Sequence, residues 1–126
     1  MSLTIILPIH NEKESLPIMI RLLNSTLKIE HEIIAVYEDD KDNAKSIGQE
    51  LMKEIEEFKI IKNKYKKGVR FSIQTGIDFA KYDIIFITAV DEIFPIISIE
   101  TMYQEIFTRN FDFFHQFTPI FFTKTN

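Results

Sequence analysis

Four stretches of this 126-residue chain carry side chains whose types and spacing suit the binding of a phosphorylated ligand. In the first, Leu7-Pro8-Ile9-His10-Asn11-Glu12, an apolar run gives way through Pro8 to a polar turn. Such a turn offers backbone N–H groups and the Asn11 and Glu12 side chains to a ligand, or simply caps the helix that follows. The second, Val36-Tyr37-Glu38-Asp39-Asp40-Lys41-Asp42, sets four carboxylates directly after another apolar run. Carboxylates there can accept hydrogen bonds from a nucleobase N–H and ribose hydroxyls, or give oxygen ligands to a hard cation. The alternative is a solvated loop in which Asp42 caps the next helix; Glu38 and Asp40 stand open between the two readings.

The third stretch is Lys66-Lys67-Gly68-Val69-Arg70, a basic loop whose glycine leads into a helix. Helix N-termini favour anions, and the planar guanidinium of Arg70 pairs well with phosphate. A surface loop with Gly68 serving backbone geometry is the plainer alternative. The fourth, Phe86-Ile87-Thr88-Ala89-Val90-Asp91-Glu92-Ile93-Phe94-Pro95, places a carboxylate pair after an apolar strand. Mg²⁺ or Mn²⁺ bridging a diphosphate needs one or two protein carboxylates, and Asp91 is placed to supply one. Exposed loop carboxylates are also common without any such role.

The elements that must position these stretches alternate along the chain. Thr4–Leu7, Glu32–Tyr37, Lys59–Lys62 and Ile84–Thr88 are short runs rich in Ile, Val and Phe. Their nearly continuous hydrophobicity is what a parallel sheet covered on both faces requires. Between them, Leu16, Met19, Ile20, Leu23 and Leu27 form one helical stripe, and Ala44, Ile47, Leu51, Ile55 and Phe58 a second. Val69, Ile73, Ile77 and Ala80 form a third, and Met102 and Ile106, with Ile99 near them, a fourth. The first helix starts either at a capping box of Asn11 and Glu14 or near Ser15, ahead of Pro17; Ser98 is placed to cap the fourth. The order predicts an α/β fold: a mostly parallel, Rossmann-like sheet with helices on both faces. All four polar stretches then fall at the carboxyl ends of strands, where open α/β sheets bind their ligands.

Composition narrows the classes. A formal net charge of −4 gives no excess of cations for nucleic acid or anionic membrane. Without cysteine there are no disulfides, thiolate metal sites or Cys nucleophile, and three scattered histidines give no metal-ligand spacing. No apolar stretch approaches the ~20 residues of a membrane span, and no signal core follows the N-terminus, so a cytoplasmic location is expected. The chain reads as one domain over residues 1–126. Five of its 12 phenylalanines crowd into the last fifteen residues. That aromatic extension, residues 111–126, either adds a strand to the sheet or pairs with another copy, making a homodimer.

Taken in order, the four stretches resemble the family 2 (A-type) glycosyltransferases, particularly the polyprenyl- and dolichyl-phosphate sugar transferases. Pro8-Ile9-His10-Asn11-Glu12 is similar to that family's Pro-x-Tyr-Asn-Glu pattern, with His10 for Tyr. Tyr37 through Asp42 stands in the place of its acidic loop, and Arg70 falls where some members carry a nucleotide-reaching Arg. Asp91 and Pro95 keep the interval of its Asp-Ala-Asp motif and following Pro, although Ala89 takes the first acidic position. The resemblance implies a nucleotide-diphospho-sugar transferase fold and a nucleotide-diphosphate sugar as ligand. It also implies transfer of the sugar to an acceptor such as a polyprenyl phosphate. It assigns Pro8, His10, Asn11, Glu12, Glu38, Asp40 and Arg70 to the nucleotide and Asp91 to Mg²⁺ or Mn²⁺. The family's acceptor-binding half, with its general-base carboxylate, has no counterpart in these 126 residues, and His115 is a poor substitute. A non-catalytic nucleotide-binding or assembly domain is therefore the alternative. A nucleotidyltransferase is disfavoured because the turn after the first strand has no glycine.

Overall fold

The computed structural model describes residues 2–90, 99–100 and 103–104, together with the backbone of 120–123. Its elements run β1 (Ser2–Pro8), α1 (Ser15–Thr26), β2 (Glu30–Tyr37), α2 (Lys45–Glu54), β3 (Phe58–Lys62), α3 (Val69–Phe79), β4 (Ile84–Ile87) and β5 (Ile120–Thr123). The sheet order is β3-β2-β1-β4-β5. The first four strands are parallel, and β5 joins antiparallel to β4. The aromatic extension thus takes the intrachain course, contributing a fifth strand. The chain steps outward from β1 to β3 and then returns to the far side of β1, so the order of strands reverses between β1 and β4.

Side-chain alternation sorts the core into two faces. Leu3, Ile5 and Leu7 of β1 with Ile33 and Ala35 of β2 pack under the α1 stripe of Leu16, Met19, Ile20 and Leu23. Leu51, Ile55 and Phe58 join them, as do Ile99 and Tyr103 from the helical residues 99–100 and 103–104. The Tyr103 hydroxyl, inside this core, accepts from the Ser2 N–H at 2.8 Å and reaches the Ser2 carbonyl at 3.0 Å. Ile6, Ile34, Val36 and Ile85 point to the other face and meet Ile77 and Ala80.

The first helical stripe is buried as its spacing requires, and so is the second except for the half-buried Ile47, though Phe58 opens β3 and Ile55 is the C-cap of α2. The third differs. Val69 is 63% exposed, and the residues that α3 buries are Ser72, Thr75 and Gly76. The reason is distance: a Cβ on Gly76 would lie 2.7 Å from Cγ2 of Ile6, so this helix sits too close to β1 for a larger side chain. Met102, Ile106 and Ser98 lie outside the described residues.

The start of α1 is at Ser15, not at Asn11. Asn11 instead adopts a left-handed backbone, φ 55°, a conformation that asparagine tolerates better than most residues. Its amide is spent across the loops: the Asn43 N–H donates to Asn11 Oδ1 at 3.0 Å, and the Asn11 N–H donates to Asp42 Oδ2 at 3.0 Å. Asp42, buried, also accepts from the Ala44 N–H at 2.8 Å, just ahead of α2. The loops after β1 and β2 are therefore stitched into one rigid rim.

A candidate ligand cleft at the carboxyl ends of the strands

The residues that follow β1, β2 and β3 converge on Glu38. One carboxylate oxygen accepts from the Ser72 hydroxyl at 2.6 Å and from Asn63 Nδ2 at 2.9 Å; the other accepts from the Gly68 N–H at 2.7 Å. Burial pushes this carboxyl upward more strongly than any other single influence. The hydrogen bonds from Ser72, Gly68 and Asn63, with the charge of Lys67, together outweigh it and hold Glu38 below the usual range. Glu38 is thus ionised at neutral pH and fixed in position.

Asn63 ties the same network to β2 and α3. Its N–H donates to the Tyr37 carbonyl, and its Oδ1 accepts from the Thr75 hydroxyl at 2.9 Å. Thr75, fully buried, also accepts from the Lys64 N–H. Gly68 turns the chain into α3 with φ 136°, a region that side chains rarely adopt. Gly68 supplies no side-chain cap to α3, and the Phe71 and Ser72 N–H groups of its first turn donate to the Gly68 carbonyl at 3.0 and 3.1 Å.

Beside this network lies a cleft of about 280 Å³ lined by Pro8, Ile9, His10, Glu12, Glu38, Val69 and Ser72. An adjoining hollow of about 150 Å³ is lined by His10, Asn11, Glu38, Asp39, Lys41 and Asp42. Pro8, His10, Glu12 and Glu38, picked out by sequence, therefore share one cleft, and Asn11 borders its extension. Asp40 and Arg70 line neither hollow. Asp40 is exposed and bridges Lys45 at 3.1 Å and Lys62 at 3.2 Å; these two ammonium groups, Lys45 first, lower its pKa. Arg70, on the first turn of α3, lies 5.5 Å from the Phe71 ring centroid and has no carboxylate partner among the described residues.

The basic run is mostly neutralised from within. Lys62 goes to Asp40, Lys64 to Asp78 at 2.9 Å and Lys67 to Asp39 at 3.9 Å. Lys66 stands 5.1 Å over the Phe71 ring, which it shares with Arg70. Arg70 and Lys66 are thus the cations of the run left for an incoming anion.

Asp91, the expected metal ligand, lies outside the described residues, as do Glu92, Ile93, Pro95 and His115. Among the described residues no group of three or more His, Asp or Glu side chains is arranged to hold a metal ion. Glu38, Asp39, Asp40 and Asp42 each already hold intramolecular donors. Sequence reading missed Asn63, Ser72 and Thr75, because their importance is a matter of which distant carboxylate they reach. It also missed Thr88, buried after β4 with a hydroxyl that has no partner among the described residues. No helix among the described residues is long and apolar enough to cross a membrane.

A family model described as Glycosyl transferase family 2 matches residues 4–126. No curated protein matches the chain in sequence. Among solved structures, S. aureus TarS 1–349 superposes with a TM-score of 0.71 at 13% identity, covering 90% of this chain and 34% of that one. Glucosyl-3-phosphoglycerate synthase from Mycobacterium tuberculosis, solved with Mn²⁺, UDP and phosphoglyceric acid, gives 0.70 at 13% identity, covering 85% and 39%. A mannosyltransferase from Pyrobaculum calidifontis, solved with GDP-Man and Mn²⁺, gives 0.64 at 17% identity, covering 71% and 27%. The chain spans between about a quarter and two fifths of the length of these neighbours.

Proposed function

The chain belongs to glycosyl transferase family 2, and from that premise we propose that it binds a nucleotide-diphosphate sugar across the carboxyl ends of β1 and β2. The observation that carries the reading is the cleft of Pro8, His10, Glu12 and Glu38, the last held rigid by Gly68, Ser72 and Asn63. The nucleoside lies in this cleft and its extension beside Asn11. Glu38 keeps the α3 turn in place and offers its remaining acceptor capacity to the ligand. The N-terminus of α3 and the guanidinium of Arg70, which has no carboxylate partner among the described residues, face the diphosphate. Asp40, clamped by Lys45 and Lys62, edges the site. Mg²⁺ or Mn²⁺ belongs to the proposal through Asp91 alone. The activity is sugar transfer from that donor, and a polyprenyl phosphate is the acceptor we propose.

The experiment is calorimetric titration of UDP and GDP, with and without Mn²⁺, into the chain and two variants. Arg70→Ala is expected to weaken binding by about tenfold to a hundredfold, the worth of charge-assisted bonds to phosphate. Asp91→Ala is expected to abolish the Mn²⁺ enhancement. Affinity that ignores both substitutions overturns the assignment. A second reading, nucleotide binding without turnover, is favoured by the occupied state of Glu38, Asp39, Asp40 and Asp42, which leaves none of them free as a general base. Tight nucleotide binding with no release of sugar from the donor selects that reading.

A further inference from the structure

An ionised carboxylate offers about four acceptor positions, shared between its two oxygens. In Glu38 three of them are filled from within the chain. Oε1 takes the Ser72 hydroxyl at 2.6 Å and Asn63 Nδ2 at 2.9 Å, whereas Oε2 takes only the Gly68 N–H, at 2.7 Å. The position that remains is on Oε2.

The donors on Oε1 are not ones that a ligand displaces. Ser72 is 2% exposed and Asn63 7%, so neither has solvent to turn to. Asn63 is also fixed in orientation. Its Oδ1 accepts from the Tyr65 N–H at 3.0 Å and from the Thr75 hydroxyl at 2.9 Å. Its amide nitrogen therefore stands toward Glu38 and toward the Lys66 carbonyl, 3.0 Å away. Glu38 lines both hollows of the cleft. A base lying there meets a carboxylate with one oxygen closed and the other half open.

Nucleobases differ in what they ask of such a group. Guanine presents two adjacent donors, N1–H and the N2 amino group, and a carboxylate satisfies both only by giving one oxygen to each. Uracil presents a single N3–H. Glu38 can meet the uracil donor in full but only one of the guanine pair, which leaves a guanine N–H without a partner. Size is a weak basis for choosing between related ligands, whereas an unpaired polar group in a closed site is a strong one.

We propose that Ser72 and Asn63, by filling Glu38 Oε1, make this cleft select uridine diphosphate over guanosine diphosphate. This rests on the nucleotide-binding reading of the same cleft. The two residues determine specificity through Glu38, as positioning residues.

UDP, GDP and inosine diphosphate are titrated into the full chain by calorimetry. The inosine base keeps the guanine ring system and its N1–H but lacks the amino group, so it separates donor count from size. UDP is expected to bind about tenfold to a hundredfold more tightly than GDP, the cost of one unpaired donor. Inosine diphosphate is expected to recover most of that loss. Ser72→Ala opens a position on Oε1, so the ratio of UDP to GDP affinity should narrow, a change that a merely structural loss would not cause. The three wild-type titrations test the inference even if Ser72→Ala fails to fold. GDP binding as tightly as UDP overturns the inference and leaves the nucleotide reading standing, and so does inosine diphosphate binding as weakly as GDP. An unchanged ratio in a folded Ser72→Ala also overturns it. Absence of binding by all three overturns the nucleotide reading, and the inference with it.

Discussion

The two faces of the sheet are built from different material. Under α1 and α2 the contacts are mainly among large aliphatic side chains, Leu16, Met19, Ile20 and Leu23 against Leu3, Ile5 and Leu7. Under α3 the buried residues are small or polar, Ser72, Thr75 and Gly76, and two of the three hold hydrogen bonds that lead to Glu38 or Asn63. Apolar packing is strong but indifferent to direction, whereas a hydrogen-bond network fixes the angle and depth of whatever it holds. The first face therefore supplies stability, and the second supplies placement. The cleft borders the second.

Three perturbations test that division. Leu23→Ala, in the fully buried stripe of α1, is expected to destabilise the fold by about 2–5 kcal/mol in chemical denaturation. Nucleotide affinity of the folded fraction should not change. A loss of affinity at a temperature where the variant is folded would show that the aliphatic face also sets the cleft.

Glu38→Gln is expected to do the reverse. One donor among Ser72, Asn63 and Gly68 then faces an amide N–H, so stability falls by only about 1–3 kcal/mol. Nucleotide affinity should fall along with it, because the turn at Gly68 loses its anchor. Unchanged affinity would separate the network from the site.

The smallest effect is expected where α3 meets the loop before it. Asp78 accepts from the Tyr65 hydroxyl, from Lys64 and from Gln74, and these bonds, Tyr65 first, lower its pKa from 3.8 to about 2. A carboxyl depressed by folding stabilises the protein above its ordinary value. That contribution is lost as pH falls from 3.8 through about 2. The pairs are partly exposed, so the term is at most about 1 kcal/mol. Comparing wild type with Asp78→Asn should show a stability gap near neutral pH that closes across this window. A gap that persists at pH 2 would mean that the clasp does not depend on the charge.

Much of the architecture was legible because apolar periodicity reports directly on burial. The runs at Thr4–Leu7 and Glu32–Tyr37 lie within β1 and β2, and the Leu16-to-Leu27 stripe is buried throughout. The same logic failed on α3. Val69 continues an apolar spacing but is exposed, since the approach of Gly76 to Ile6 turns the small-residue side inward. Spacing counts residues of a type and is blind to the closeness that only a glycine permits.

By itself, the sequence determined the first four strands and the first three helices, that the sheet is mostly parallel, and that the polar turns after β1, β2 and β3 share one end of it. These follow from local pattern and from the rule that parallel strands carry their loops at common ends. Only the tertiary structure decided how the charges are used. Glu38 meets Asn63, Gly68 and Ser72 across separations of 25, 30 and 34 residues. Asp40 is drawn to Lys62 across 22, while Arg70 is left without a carboxylate among the described residues. A side chain's type fixes what it is able to bind. Which partner reaches it first depends on distances that the folded chain alone sets.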